Sequence, residues 1–228
     1  MPTDPSQRLL HPVGRLLERA AAGEPPPADG TWSRERPWSA TVYGVLTFTG
    51  HAVLCVPDSV TDADLAGLHP DGFGGAADPR LIVALAGQRG WIDSLDLVLS
   101  APGLVGRPQW LVPRPDLADQ PRALRAAGLR TATRVFGLAD RDDAILTIGN
   151  GIGGLRELSF ELDPTSRDSG LGRRLIADAR HLIVPDEIVL ASVAPGNIAS
   201  MRATLAAGFR PLAGVQLFRP DVASGGDT

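Results

Sequence analysis

Residues 157–183 read ELSFELDPTSRDSGLGRRLIADARHLI. The first six residues alternate, with Leu158, Phe160 and Leu162 on one face and Glu157, Ser159 and Glu161 on the other, which predicts a strand over Leu155–Leu162. Asp163-Pro164 ends it. A turn, Arg167-Asp168-Ser169-Gly170-Leu171-Gly172, then feeds a helix predicted over Gly170–Ile183. The helix places Leu171, Leu175, Ile176, Ala179, Leu182 and Ile183 on one stripe at helical spacing. A glycine-bearing turn at a helix start presents unpaired backbone N–H groups and the positive end of the helix dipole, which together favour an anion. Gly170 and Gly172 let a phosphate approach the backbone, Arg167 and Arg173 add charge, and Ser169 adds a hydroxyl. The chemistry implied is diphosphate binding.

Downstream, the pattern predicts a strand over Glu187–Val193, a helix over Asn197–Ala207 and a last strand over Gly214–Phe218. Upstream lie a helix over Pro121–Ala127, closed by Gly128, and strands over Thr133–Leu138 and Ala144–Ile148. Gly149-Asn150-Gly151-Ile152-Gly153-Gly154 matches G-x-G-x-x-G, but a dinucleotide site needs a helix next. An alternating strand comes next instead, so the glycines read as a hairpin turn.

Arg-x-x-Gly-x-Gly after a strand ending in Leu-Asp-Pro resembles the coenzyme A diphosphate signature of the GNAT acetyltransferase superfamily. A second match lies downstream at the spacing of that family: Asn197-Ile198-Ala199-Ser200, then Gly208-Phe209 eleven and twelve residues after the Asn. The resemblance covers about half the chain. It implies an α/β fold with a mixed, mostly antiparallel sheet flanked by helices, and acetyl-CoA as acyl donor. The donor site it implies comprises Phe160, Leu162, Arg167, Asp168, Ser169, Gly170, Leu171, Gly172, Arg173, Asn197 and Ser200. The strands at 157–162 and 187–193 would splay to admit pantetheine, whose amides would pair with backbone groups near Phe160, Glu161 and Leu162. A backbone N–H there would polarise the thioester carbonyl. The implied reaction is direct attack of an amine on the thioester.

For the base the sequence offers Glu157 and Glu161, on one face of the central strand; each has the alternative of being a solvated strand carboxylate. Many members of the family have a Tyr seven residues after the motif Asn as the acid for the departing thiolate. Here Thr204 stands at that position. Either another group or water protonates the thiolate, or turnover is slow, or the domain binds acyl-CoA without transferring it. Two functions are consistent with this: an N-acetyltransferase acting on an amine, or a non-catalytic acyl-CoA-binding module. The single Tyr, Tyr43, lies in the other half and reaches the site only if the halves pack together.

Residues 1–112 match no nameable module and read as an additional α/β region, either a smaller layer packed on the sheet or a degenerate copy of the same fold. Leu9, Leu10, Val13, Leu16 and Leu17 fall at helical spacing, and Pro25-Pro26-Pro27 then interrupts regular structure. Val42–Val56 suggests two strands around Thr49-Gly50-His51; helices are predicted over Asp62–Leu68, with Thr61 as cap, and Pro79–Gly87, and a strand over Asp96–Ser100. Trp32 and Trp38 are expected to pack against the body of the protein. Four prolines between Ala101 and Asp116 mark the expected boundary, giving regions 1–112 and 113–220 and a disordered tail over 221–228.

The net charge of −4 argues against nucleic acid or an anionic membrane as partner, and no run approaches the length of a bilayer span. Arg, Glu and Pro interrupt the apolar runs of the amino terminus, which speaks against a secretory signal. Together with the single Cys55, this sets the expectation of a cytoplasmic protein. All 22 basic residues are Arg, which fits either bidentate phosphate binding or coding bias in a GC-rich genome. His11, His51, His69 and His181 have no ligand spacing, so no metal is expected. His51, beside a tight turn, is either a satisfied structural histidine or a catalytic one.

Overall fold

A computed structural model describes residues 10–221. The elements in chain order are α1 (Pro12–Ala21), β1 (Trp32–Glu35), β2 (Tyr43–Phe48), β3 (His51–Cys55), α2 (Asp62–Gly67), α3 (Pro79–Ala86), β4 (Trp91–Pro102) and β5 (Val112–Pro113). They continue with α4 (Pro121–Leu129), β6 (Thr131–Leu138), β7 (Arg141–Asn150), β8 (Arg156–Leu162), α5 (Leu171–Ala179), β9 (Ile188–Val193), α6 (Ile198–Ala206) and β10 (Arg210–Arg219). The strands form one ten-stranded mixed sheet in the order β1-β3-β2-β10-β4-β9-β8-β7-β6-β5.

Local chemistry accounts for most element ends. Thr61 and Asp64 close a capping box on α2, and Asp78 caps α3 ahead of Pro79. The motif at 149–154 is the connection of the antiparallel β7–β8 pair, with Gly151 N–H donating to the Leu155 carbonyl. Gly153 and Gly154 adopt φ of 60° and 80°, which glycine reaches without a Cβ penalty. Several helix ends differ from expectation, among them that of α5, which stops at Ala179 and passes into a 3-10 turn over Arg180–Leu182. Gly128 lies inside α4, because the helix continues to Leu129 before β6 begins. Asn197 stands just outside α6 as its cap, its Oδ1 accepting from Ser200 N at 3.2 Å. Of the residues expected in the first helix, Leu9 lies outside the described residues, as does 222–228 of the tail; Asp221 pairs with Arg89 at 3.1 Å.

Alternation along the strands divides the core between the two faces. Val189, Ala191 and Val193 of β9 face α5 and α6, with Phe136, Leu146, Leu158, Leu175 and Ile176. Leu190 and Ile188 face the other way, towards Val13 and Leu17 of α1. Each fully buried Leu or Ile here contributes about 1.5–3 kcal/mol. Ile145 of β7 points away from α5 and packs with Ala123 of α4. Leu54 and Val56 pack with Leu65 of α2 and with Leu81 and Ile82 of α3. Trp32 and Trp38 are partly buried against these cores.

The N-terminal region is joined edge to edge rather than as a layer on the sheet. β10 runs antiparallel between β2 and β4, and β4 runs antiparallel between β10 and β9. β4, at twelve residues longer than the Asp96–Ser100 segment predicted from sequence, pairs with β10 along one edge and with β9 along the other, and Leu97–Ser100 engage both. The proline-bearing crossing after β4 is pinned by Asp178 of α5. Its carboxylate accepts the backbone N–H groups of Gln109, Trp110 and Leu111 at 2.7, 2.8 and 2.9 Å. No described helix is long and apolar enough to cross a membrane.

Candidate functional site: two clefts at a strand splay

β8 and β9 run parallel, but their pairing stops early. Arg156, Glu157 and Leu158 pair with Val189, Leu190 and Ala191; beyond them β8 continues on β7 alone and β9 on β4 alone. The backbone of β8 from Ser159 to Leu162 therefore has no strand on its β9 side, and a gap opens in the sheet.

On one side of the gap lies a cleft of about 650 Å³. The turn leading into α5 forms part of its wall. Asp168 and Gly170 adopt φ of 57° and 76°, a left-handed pair that turns the chain into the helix. Gly170, the N-cap of α5, has no side chain to accept from the helix, and the one side-chain acceptor at this end is Ser169 Oγ, which takes the Leu171 N–H at 3.4 Å. Among the sequence-predicted residues, Phe160, Glu161, Leu162, Arg167, Asp168, Gly170, Gly172, Arg173, Asn197 and Ser200 line this cleft. Arg122 and Arg202 join them. Arg122 pairs with Glu161 at 3.0 Å, while no described carboxylate forms an ion pair with Arg167, Arg173 or Arg202. Two predicted residues lie elsewhere. The Leu171 side chain is in the core, and the Ser169 hydroxyl donates to the Ser166 carbonyl at 2.8 Å, closing the turn.

A second cleft, of about 260 Å³, opens on the other side, between α4, β4 and the splayed strands. It shares Arg122, Phe160, Asn197 and Ser200 with the first, so the two meet at the gap. Glu157 lines it, buried to 4% exposure, and its oxygens are engaged. Oε1 accepts from Arg130 Nη2 at 2.7 Å and from Ser192 Oγ at 3.2 Å, and Oε2 from Ile152 N at 3.4 Å. Arg130 also donates to Ser159 Oγ at 3.1 Å, while its buried Nε has no partner. Thr204 is fully buried beside this cleft and its Oγ1 is likewise without a partner. Tyr43 lines neither cleft; its ring meets Phe218 edge-on at a centroid distance of 5.9 Å.

Two residues of this cleft were not found in the sequence. Arg130 is the C-cap of α4 and lies two residues beyond Gly128, where the sequence pattern closes that helix. Asp96 comes from β4 and lies in a strand whose partner on the far side of the chain is set by tertiary pairing. Burial holds the Asp96 carboxyl above the usual range, and the charges of Asp93 and Glu157 act in the same sense. The hydrogen bond from Ser94 Oγ at 2.7 Å and the charge of Arg125 oppose the shift. Asp93 pairs with Arg125 at 2.7 Å, whereas Asp96 has no guanidinium partner among the described residues.

No protein-family model matches the chain, and no curated protein matches it in sequence. Among solved structures it is similar to a GCN5-related N-acetyltransferase from Kribbella flavida, at 14% identity and a TM-score of 0.39 over 64% of each chain. It is also similar to an acetyltransferase from the GNAT family from Colwellia psychrerythraea, at 10% identity and a TM-score of 0.37 over 57% of each chain. A third is AAC(6')-Ib in complex with Parmomycin and AcetylCoA, at 12% identity and a TM-score of 0.34, over 60% of this chain and all of that one. The matches thus span a little over half the length of the first two. The assignment of individual roles rests on this chain's own residues.

Proposed function

We propose that the chain is an N-acyltransferase that moves an acetyl group from acetyl-CoA to a small amine. The observation that carries this reading is the pair of clefts meeting at the β8–β9 splay, one lined by Arg122, Arg167, Arg173 and Arg202 and the other polar and carboxylate-bearing. Residues 113–220 would supply the donor site, and residues 1–112 would complete the acceptor cleft through Asp93, Ser94 and Asp96 of β4. Gly170, Gly172, Arg167 and Arg173 would hold the diphosphate on the N–H groups of α5. Backbone groups of Phe160, Glu161 and Leu162, free of β9, would bind pantetheine and polarise the thioester carbonyl.

The amine must lose a proton before it attacks. Glu157 is engaged with Arg130 and Glu161 with Arg122, which leaves Asp96 as the carboxylate best placed to accept it, directly or through water. Attack forms the amide C–N bond and breaks the C–S bond, and the thiolate leaves with a proton. Thr204 is far too weak an acid to supply that proton at neutral pH, so water is the donor in this scheme.

A second reading, binding without transfer, is favoured by Thr204 at the acid position. Thiol release from acetyl-CoA over a panel of small primary amines separates the two. Amine-dependent release supports the transferase. Binding of CoA with no release over the whole panel supports the binding module.

A further inference from the structure

His51 begins β3, and β1 runs beside it in parallel with Ser33 opposite Val53. Ser33 and His51 are therefore diagonal neighbours on one face of the sheet. Ser33 Oγ lies 3.1 Å from His51 Nε2, and His51 Nδ1 lies 3.0 Å from Asp29 Oδ1. The hydrogen bond from His51 holds the Asp29 carboxyl down at about 2, with Thr31 N–H and Oγ–H adding to the same effect. An ionised carboxylate only accepts, so Nδ1 carries the hydrogen. In the neutral ring Nε2 then holds the lone pair, and the Ser33 hydroxyl donates to it. The His51 side chain is 11% exposed, whereas Ser33 is exposed.

Ser33 and His51 open onto a cleft of about 340 Å³ beneath α1, remote from the splay. Val13, Leu16, Pro26 and Pro27 make one part of its wall apolar, Arg15 and Arg19 add positive charge, and Glu35 adds a carboxylate. β1 is an edge strand. The carbonyls of Thr31 and Glu35 accept from Ala52 and Val56, on the β3 side, so by alternation the N–H of Arg34 faces the open edge. That N–H, one residue after Ser33, is the donor available to an oxyanion; of the two guanidiniums, Arg15 donates to the Leu10 carbonyl at 2.6 Å and Arg19 pairs with Glu24 at 3.8 Å.

We propose that Ser33, His51 and Asp29 form a nucleophilic serine site that hydrolyses small carboxylic esters with an apolar acyl group. Ser33 Oγ attacks the acyl carbon while His51 Nε2 takes its proton, and the imidazolium returns that proton to the departing alkoxide. Water then attacks the acyl-serine with His51 again as base, releasing the acid and restoring Ser33. The sum is ester plus water giving acid plus alcohol, and no oxidant or metal enters. Asp29 is a positioning residue that fixes the tautomer. A purely structural triad would pin the 29–31 loop to β3 by the same bonds, so the test must read reactivity rather than stability.

The full chain is treated with a fluorophosphonate probe, the adduct is located by mass spectrometry, and hydrolysis of 4-nitrophenyl acetate and butyrate is followed in parallel. The expected result is one adduct per chain on Ser33, absent in Ser33→Ala, with ester hydrolysis lost in the same variant. Removing the general base in His51→Gln should slow labelling roughly 100-fold. Because His51 is buried, Asp29→Asn, at a half-exposed side chain, serves as the second variant if His51→Gln does not fold; it should slow labelling as well. Ser33→Ala, at an exposed position, should melt as the wild type does. A folded wild type that takes no label, a label on another residue, or unchanged labelling of Ser33 in a folded His51→Gln or Asp29→Asn variant would overturn the proposal.

Discussion

Asp178→Asn tests how α5, the helix that follows the Arg167–Gly172 turn, is tied to the rest of the sheet. The carboxylate is 6% exposed and accepts three backbone N–H groups, Gln109 on Oδ1 and both Trp110 and Leu111 on Oδ2. Hydrogen bonds to a charged group contribute about 1.5–3 kcal/mol each, roughly twice the neutral value. An asparagine oriented to keep its oxygen towards Trp110 and Leu111 retains two bonds at about half strength and turns an NH₂ group against the Gln109 N–H. The lost bond and the two weakened ones together come to about 3 kcal/mol at the lower end of that range. For a chain of this size that corresponds to a drop in Tm of roughly 6–12 °C. Chemical denaturation gives the free energy and calorimetry the Tm. A loss below about 1 kcal/mol would show that the 103–111 crossing is held by something other than this carboxylate, and the reasoning would fail.

Thr204→Val replaces a buried hydroxyl without a partner by a methyl group of similar size, so stability should rise by about 1 kcal/mol in chemical denaturation; a loss of stability would mean that the hydroxyl has a partner. Asp96→Asn should lower amine-dependent thiol release by roughly 100-fold and remove the acidic limb of its pH profile, which in the wild type should lie above the ordinary carboxylate range. The sign for stability is opposite. A carboxyl raised in the folded state holds its proton where the unfolded chain has lost it, so the wild type loses stability as pH climbs from the ordinary value of 3.8 through the raised one. Asp96→Asn should therefore be the more stable protein above that window, as read from urea midpoints across the pH range.

The glycine turn before α5 was legible because its signals are local. Glycines at 170 and 172, an Asp-Pro strand end and an apolar stripe each act within a few residues, and the turn, α5, β8 and β9 form where those signals place them. What escaped was set by tertiary pairing. β1 is a four-residue edge strand rich in polar side chains and exists by pairing in parallel with β3, so WSRE carried no alternation to read. Asp96 lay within a predicted strand, yet nothing in its surroundings places that strand between β9 and β10, where it faces the splay. Glu157 and Glu161 share a strand face in sequence, but their guanidinium partners, Arg130 and Arg122, come from the end and the start of α4. Spacing along a strand reports which face a carboxylate takes and is silent on what meets it there.

The most direct test of the donor site is calorimetric titration of acetyl-CoA and of CoA into the purified chain, beside Gly170→Glu and Arg173→Glu. The space around Gly170 is open, so the new carboxylate would stand before the N-terminus of α5, though its φ of 76° adds backbone strain. Arg173 is exposed and reverses the local charge without that strain. Binding with a Kd on the order of micromolar, lost in Gly170→Glu and weakened in Arg173→Glu while both remain folded, is the expected result. No binding by a well-folded wild type, or equal binding by both variants, would contradict the assignment of this turn as the acyl-CoA site.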